Sequence, residues 1–82
     1  MVKVEFFGLY RLDLGVAELS VEAKSIKEVF EILEKQFMKY TAEEFMNSIV
    51  LVNGVNFLKL KKSRTKLNEG DTVFIMSPAS GG

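Results

Sequence analysis

Residues 25–37 leave this chain the fewest choices. Ile26, Val29, Phe30, Leu33 and Phe37 recur at spacings of three and four, one apolar stripe along an α-helix. Lys27, Glu31, Glu34 and Lys35 fall off the stripe and solvate the outside. Ser25 with Glu28 three positions later predicts a capping box, the Ser hydroxyl taking the N3 amide while Glu28 reaches back. An aromatic stripe of this kind is core, and it must be buried against something. The rest of the chain offers it strands.

Val2 to Phe6 alternates with period two, so Val2, Val4 and Phe6 point to the core and Lys3, Glu5 and Phe7 away from it. Ala17 to Glu22 alternates again, with Leu19 and Val21 inward, and pairs with the first strand as a hairpin. Between them Gly8 to Gly15 breaks the pattern, and Leu9, Leu12 and Leu14 predict a short helical turn folded under. Thr41-Ala42-Glu43-Glu44 is a second capping box, opening a short helix to about Met46. Ile49 to Val52 is a continuous apolar run suited to a central strand. Asn53-Gly54 then signals a tight hairpin, with Val55 to Leu60 returning as an edge strand whose lysines suit exposure. Asn68 to Asp71 is a turn, and Thr72 to Met76 the last strand, with Val73 and Ile75 on one face and Phe74 and Met76 on the other. The order β-β-α-(short helix)-β-β-β predicts an α+β domain: a mixed sheet of four to five strands with one main helix across one face. A central last strand beside the first makes that pair parallel, which the intervening helix permits.

Composition narrows the chemistry. The 82 residues contain neither cysteine nor histidine, which removes thiol nucleophiles, thiolate metal sites and the commonest general base. Eleven basic residues balance eleven acidic ones, against a nucleic-acid binder held by a net basic field. No apolar run approaches a membrane span, and Lys3 and Glu5 interrupt the start, so neither a signal peptide nor a membrane helix is expected. A soluble cytoplasmic domain is the expectation.

The last stretch, Ser77-Pro78-Ala79-Ser80-Gly81-Gly82, is a poor way to finish a strand, because glycine gains no packing and loses the most entropy on ordering. What it allows is a thin thread able to enter a narrow channel and expose its carboxylate. Pro78 biases Ser77 toward extended geometry, so the thread leaves the sheet pointing outward. The chain therefore divides into a folded domain, 1–76, and a flexible tail, 77–82, that buries little.

That order of elements, ending in Gly-Gly, resembles the β-grasp plan of ubiquitin-like proteins. More closely, the chain is similar to the MoaD/ThiS family of small sulfur carriers, and within it to the molybdopterin synthase small-subunit branch. Val2-Lys3-Val4-Glu5-Phe6-Phe7-Gly8 with Arg11 resembles that branch's opening strand. Leu67-Asn68-Glu69-Gly70-Asp71-Thr72-Val73 leading to Pro78-Ala79-Ser80-Gly81-Gly82 resembles its closing strand and tail. Leu12 stands where an acidic residue is frequent, and Ser77-Pro78 where two prolines are common.

The resemblance implies a division of labour. An E1-like, MoeB-like enzyme would use ATP to adenylate the terminal carboxylate, and a sulfur donor protein would displace AMP to leave a thiocarboxylate. No cofactor is bound by the chain itself. A MoaE-like large subunit, assembled with this chain as a heterotetramer, would pass the sulfur to a pterin precursor of the molybdenum or tungsten cofactor. Gly82 carries the reacting group in this reading, with Gly81 beside it, since a Cβ at either position obstructs the channel where atoms must approach closely. The chain itself is a non-catalytic subunit. The same resemblance admits a thiamine-pathway carrier, or a protein modifier conjugated through Gly82.

Partners need a surface as well as a thread. Phe7, Phe74 and Met76, on the sheet face opposite the helix, are the expected docking patch unless residues 9–15 or 57–66 cover them. Pro78, Ala79 and Ser80 extend it along the tail. The basic run Lys59, Lys61, Lys62, Arg64 and Lys66 reads as a solvated edge and loop; its functional alternative is contact with an acidic partner or a phosphate-bearing ligand. No aromatic side chain is interleaved with these charges to stack on bases.

Overall fold

The computed structural model describes residues 1–78. Strands β1 (Val2–Phe7), β2 (Glu18–Val21), β3 (Ile49–Val52), β4 (Val55–Asn56) and β5 (Thr72–Met76) form one mixed sheet in the order β2-β1-β5-β3-β4. As expected, β5 is central and parallel to β1; it also pairs antiparallel with β3. β1 and β2 pair as a hairpin with Val4 opposite Leu19. The architecture is the expected β-grasp: a sheet with one main helix laid across it.

That helix is α2 (Ile26–Phe37), flanked by α1 (Leu9–Leu14) and α3 (Ala42–Met46). Ile26, Val29, Phe30 and Leu33 are buried against Val2, Val4, Phe6, Val50, Val73 and Ile75 of the sheet. Phe37, at the end of the stripe, meets Phe6 edge-on at 6.1 Å between ring centroids. Phe45 of α3 closes one end of this core, its ring 5.6 Å from that of Phe30.

The Thr41 capping box forms in full, with Glu44 N donating to Thr41 Oγ1 at 3.1 Å and Thr41 N donating to Glu44 Oε1 at 2.9 Å. The Ser25 box forms by half. Ser25 Oγ accepts from Glu28 N at 3.2 Å, but Glu28 takes the Lys24 amide, one residue upstream of the one predicted. Beside this cap, Ser25 and Lys66 form an isolated antiparallel bridge.

Two local expectations are corrected. Residues 9–15 do form a helical turn, and Leu14 packs against the core as expected, but Leu9 and Leu12 are exposed (46% and 78%) and Tyr10 is the buried residue of the turn. With Gly8 turning the chain at φ +68, the buried side of α1 is set by the turn geometry rather than by leucine spacing. The edge strand expected over 55–60 lasts two residues. Asn56 Oδ1 accepts from Leu58 N at 2.9 Å and starts a 3-10 turn over Phe57–Lys59, which swings Phe57 into the core instead of along the edge. A second 3-10 turn, Lys62–Arg64, follows. The Asn53-Gly54 hairpin is as predicted, both residues at positive φ with Val52 opposite Val55.

Candidate functional site

The sheet face away from α2 is built by register. β5 places Phe74 and Met76 on it, β1 places Phe7 beside Met76, and β3 sets Leu51 opposite Phe74 and Ile49 opposite Met76. Phe7 and Phe74 stack with centroids 4.3 Å apart and planes at 20°. Phe7 is 36% exposed, and Phe74, Met76, Leu51 and Ile49 are half-buried. The structure therefore brings Phe7, Phe74 and Met76 together as predicted and adds two residues that sequence reasoning left out. The signal for them was present. A run of four apolar residues on an interior strand must put two on each face.

At the end of this patch β5 gives way to Ser77. Expected to bury little, Ser77 is only 5% exposed, and its Oγ accepts the Leu9 amide at 3.2 Å. Leu9 opens α1, and the residue before it, Gly8, offers no side-chain cap, so a serine 68 residues away satisfies an amide the helix leaves open. Gly8 makes the approach possible: a Cβ there would stand 3.0 Å from Ser77 Oγ and 3.5 Å from Met76 Cγ. Pairing Gly8 with Ser77 was beyond sequence reasoning, because the contact joins the two ends of the chain.

Pro78 follows, exposed, at the rim of a shallow groove of about 300 Å³ lined by Leu9, Tyr10, Tyr40, Glu44, Asn47 and Ser77. Two phenols stiffen its floor. Tyr10 and Ser48 share a buried hydrogen bond, and burial pushes the Tyr10 phenol up from its ordinary range. Tyr40 donates to the Asp13 carboxylate, and that bond, aided by partial burial, raises its pKa to about 12. Both phenols stay protonated at neutral pH. The remaining predicted site residues, Ala79, Ser80, Gly81 and Gly82, lie outside the described residues.

Neither histidine nor cysteine occurs in the sequence, and the described residues hold no group of three metal-type side chains. No described helix is long and apolar enough to cross a membrane. What remains is an apolar face of aromatic and aliphatic side chains with a tethered strand end at its border.

Known proteins share this plan. No curated protein sequence matches the chain. The solution structure of small archaeal modifier protein 1 from Methanosarcina acetivorans superposes with a TM-score of 0.85 at 26% identity, covering 99% of this chain and 95% of that one. The complex of subunits 1 and 2 of molybdopterin-converting factor from Helicobacter pylori contains a similar chain: TM-score 0.67, 24% identity, 99% and 97% covered. The BexX/CysO complex of Amycolatopsis orientalis gives 0.81 at 18% identity, with both chains wholly covered. The ThiS family model matches residues 4–82, nearly the whole chain including its Gly-Gly end. The chain belongs to the ThiS family, the ubiquitin-like sulfur carriers.

Proposed function

We propose that this chain is the sulfur-donating small subunit of a molybdopterin synthase. The observation that carries the reading is that the Phe7/Phe74/Met76 face is built on β5, the strand that precedes Gly81 and Gly82 in the sequence. A partner seated on that face receives the tail at its own active site, so docking and delivery use one surface. A free carboxylate is a poor acyl donor because its leaving group is oxide. An E1-like enzyme therefore activates Gly82 as an acyl-adenylate, with pyrophosphate leaving. A sulfur donor then displaces AMP to give the thiocarboxylate. The large subunit takes that sulfur onto a pterin precursor, and Gly82 returns as a carboxylate for another round. The likeness to a subunit found in complex in Helicobacter pylori supports a two-subunit assembly.

Intact mass spectrometry after incubation with the cognate activating enzyme, ATP and sulfur donor tests the reading. The expected product gains the mass difference of sulfur for oxygen at the terminus and transfers it when large subunit and pterin precursor are added. Gly82→Ala, which keeps length and carboxylate but adds one methyl, folds normally and loses most of the activation or transfer. Native-rate sulfuration by Gly82→Ala would remove Gly82 from the reaction.

A second reading has its own support in the 26% identity to small archaeal modifier protein 1: a modifier joined through Gly82 to lysines of other proteins. Conjugate ladders in cell extract that vanish on deletion of Gly81 and Gly82 favour it. A thiamine-pathway carrier would form the same thiocarboxylate and then fail with the pterin acceptor.

A further inference from the structure

The basic run plays no part in that chemistry, yet it is built with care. Between Leu58 and Lys66 the chain carries Lys59, Lys61, Lys62, Arg64 and Lys66 and no acidic residue, and because the whole is formally neutral, the remainder bears an equal excess of negative charge. All five cations are exposed. Among the described residues the ion pairs within 4.0 Å are Met1–Glu69 and Lys3–Glu18, so none of the five cations is paired.

A solvated loop does not need the anchoring this segment has. Phe57 is 1% exposed at one end and Leu67 6% at the other. In the middle, buried Thr65 accepts the Lys61 amide on its Oγ1 at 3.0 Å, and its own carbonyl accepts the Ile26 amide at the start of α2 at 3.0 Å. Leu60 and Arg64 amides close the two 3-10 turns. The backbone is fixed while its cations stay in water, and two apolar side chains, Leu58 (61% exposed) and Leu60 (41%), stand among them. A groove of about 590 Å³ runs along the segment between Lys59, Leu60, Lys61, Arg64 and Lys66. The segment follows edge strand β4, its second 3-10 turn packs against α2, and none of the groove's lining residues belongs to the Phe7/Phe74 face.

We propose that residues 58–66 are a second docking surface, and that they take an acidic polypeptide segment in which carboxylates are interspersed with apolar residues. Charge complementarity selects the carboxylates, and Leu58 and Leu60 select the apolar residues between them. Nucleic acid fits less well, since the one aromatic side chain nearby, Phe57, is in the core and leaves nothing for bases to stack on. A broad anionic plane such as a membrane surface also fits less well. Glu31 and Glu43 line the neighbouring cleft beside Ser63, and a plane pressed on the cations meets those carboxylates too. A narrow segment lying in the groove avoids them.

The test uses the full chain, ¹⁵N-labelled, titrated with a short synthetic peptide of interspersed glutamate and leucine and with its glutamine-for-glutamate control. Amide shifts confined to residues 57–67, with affinity that falls steeply as salt rises, are expected. The triple variant Lys59→Glu/Lys61→Glu/Arg64→Glu should weaken binding by roughly tenfold or more while the Phe7 and Phe74 resonances stay put. Should that variant unfold, Lys61→Gln/Arg64→Gln provides the same comparison with less charge repulsion. Shifts on the Phe7/Phe74 face, equal binding of the control peptide, or unchanged affinity in the charge variants would overturn the proposal. Tighter binding to phosphatidylserine vesicles or to single-stranded RNA than to the peptide would also overturn it. None of these measurements involves Gly82, so failure of the sulfur-carrier reading leaves them intact, and their failure leaves that reading intact.

Discussion

Replacing Gly8 with Ala is the sharpest probe of how the strand end is held. Gly8 sits at φ +68, ψ −141, a region that residues with a Cβ enter only under strain. Holding a residue there adds about 1–3 kcal/mol. The new methyl would also stand 3.0 Å from Ser77 Oγ, closer than such contacts normally come, and Ser77 has little room to retreat at 5% exposure. Moving it breaks the bond to the Leu9 amide, a further loss of about 1 kcal/mol. The two effects together come to about 3 kcal/mol in a domain whose whole stability is on the order of 5–15 kcal/mol. With a urea m-value near 1 kcal/mol/M, the unfolding midpoint should fall by about 3 M. Ser77→Ala isolates the second effect at about 1 kcal/mol. In the double variant that contribution is already gone, so its loss should be smaller than the sum of the two single-variant losses. A Gly8→Ala protein within about 0.5 kcal/mol of wild type would refute the reasoning, because neither the backbone strain nor the Ser77 contact could then be present. Strict additivity in the double variant would leave the strain and remove the contact.

Other perturbations address the core, the docking face and the phenol pair. Leu33→Ala, at a position with 0% exposure, should destabilise by about 2–5 kcal/mol in chemical denaturation; a loss typical of surface sites would put the helix phase in error. Phe74→Glu, at a half-buried position, should leave a folded chain that no longer binds the activating enzyme or the large subunit by calorimetry, whereas unfolding would make Phe74 core. Tyr40→Phe tests the bond to Asp13 through pH. A phenol raised to about 12 contributes stability that is complete below its ordinary value of 10.0 and lost as pH rises through 12, so the wild-type advantage over Tyr40→Phe should shrink across that window. An advantage that is flat with pH would mean the phenol's proton is not what holds Asp13.

How much of this was legible in the sequence depends on the distance over which each feature is decided. The α2 stripe, the Thr41 box and the Asn53-Gly54 turn are set within a few residues, and each forms as its pattern requires. The parallel placement of β5 beside β1 was inferable from layer rules, and it delivered Phe7, Phe74 and Met76 to one face. Features decided by contacts between distant residues were not legible. Tyr10, rather than Leu9 or Leu12, is buried because Ser48 and the rings of Tyr40 and Phe45 receive it. Phe57 leaves the edge because the core beneath α2 accepts it. Ser77 looked like the first residue of a thread, yet it is the last residue of the body, since only the folded chain brings it to the Leu9 amide.

The position of β5 also fixes an order of events. Synthesis runs from the N-terminus, so the strand at the centre of the sheet is made after all the others. Until it emerges, the β1–β2 and β3–β4 hairpins have no strand to join them, and α2 has only half a sheet to cover. Each hairpin waits with an open edge at which a neighbouring nascent chain can pair. Closing the β1–β5 pair spans nearly the whole chain, Lys3 meeting Thr72, which makes it a slow, long-loop step. The same step seats Ser77 on Leu9. A chain with an incomplete β5 therefore lacks both a closed sheet and the Ser77–Leu9 bond, and that bond is itself a report that folding has finished.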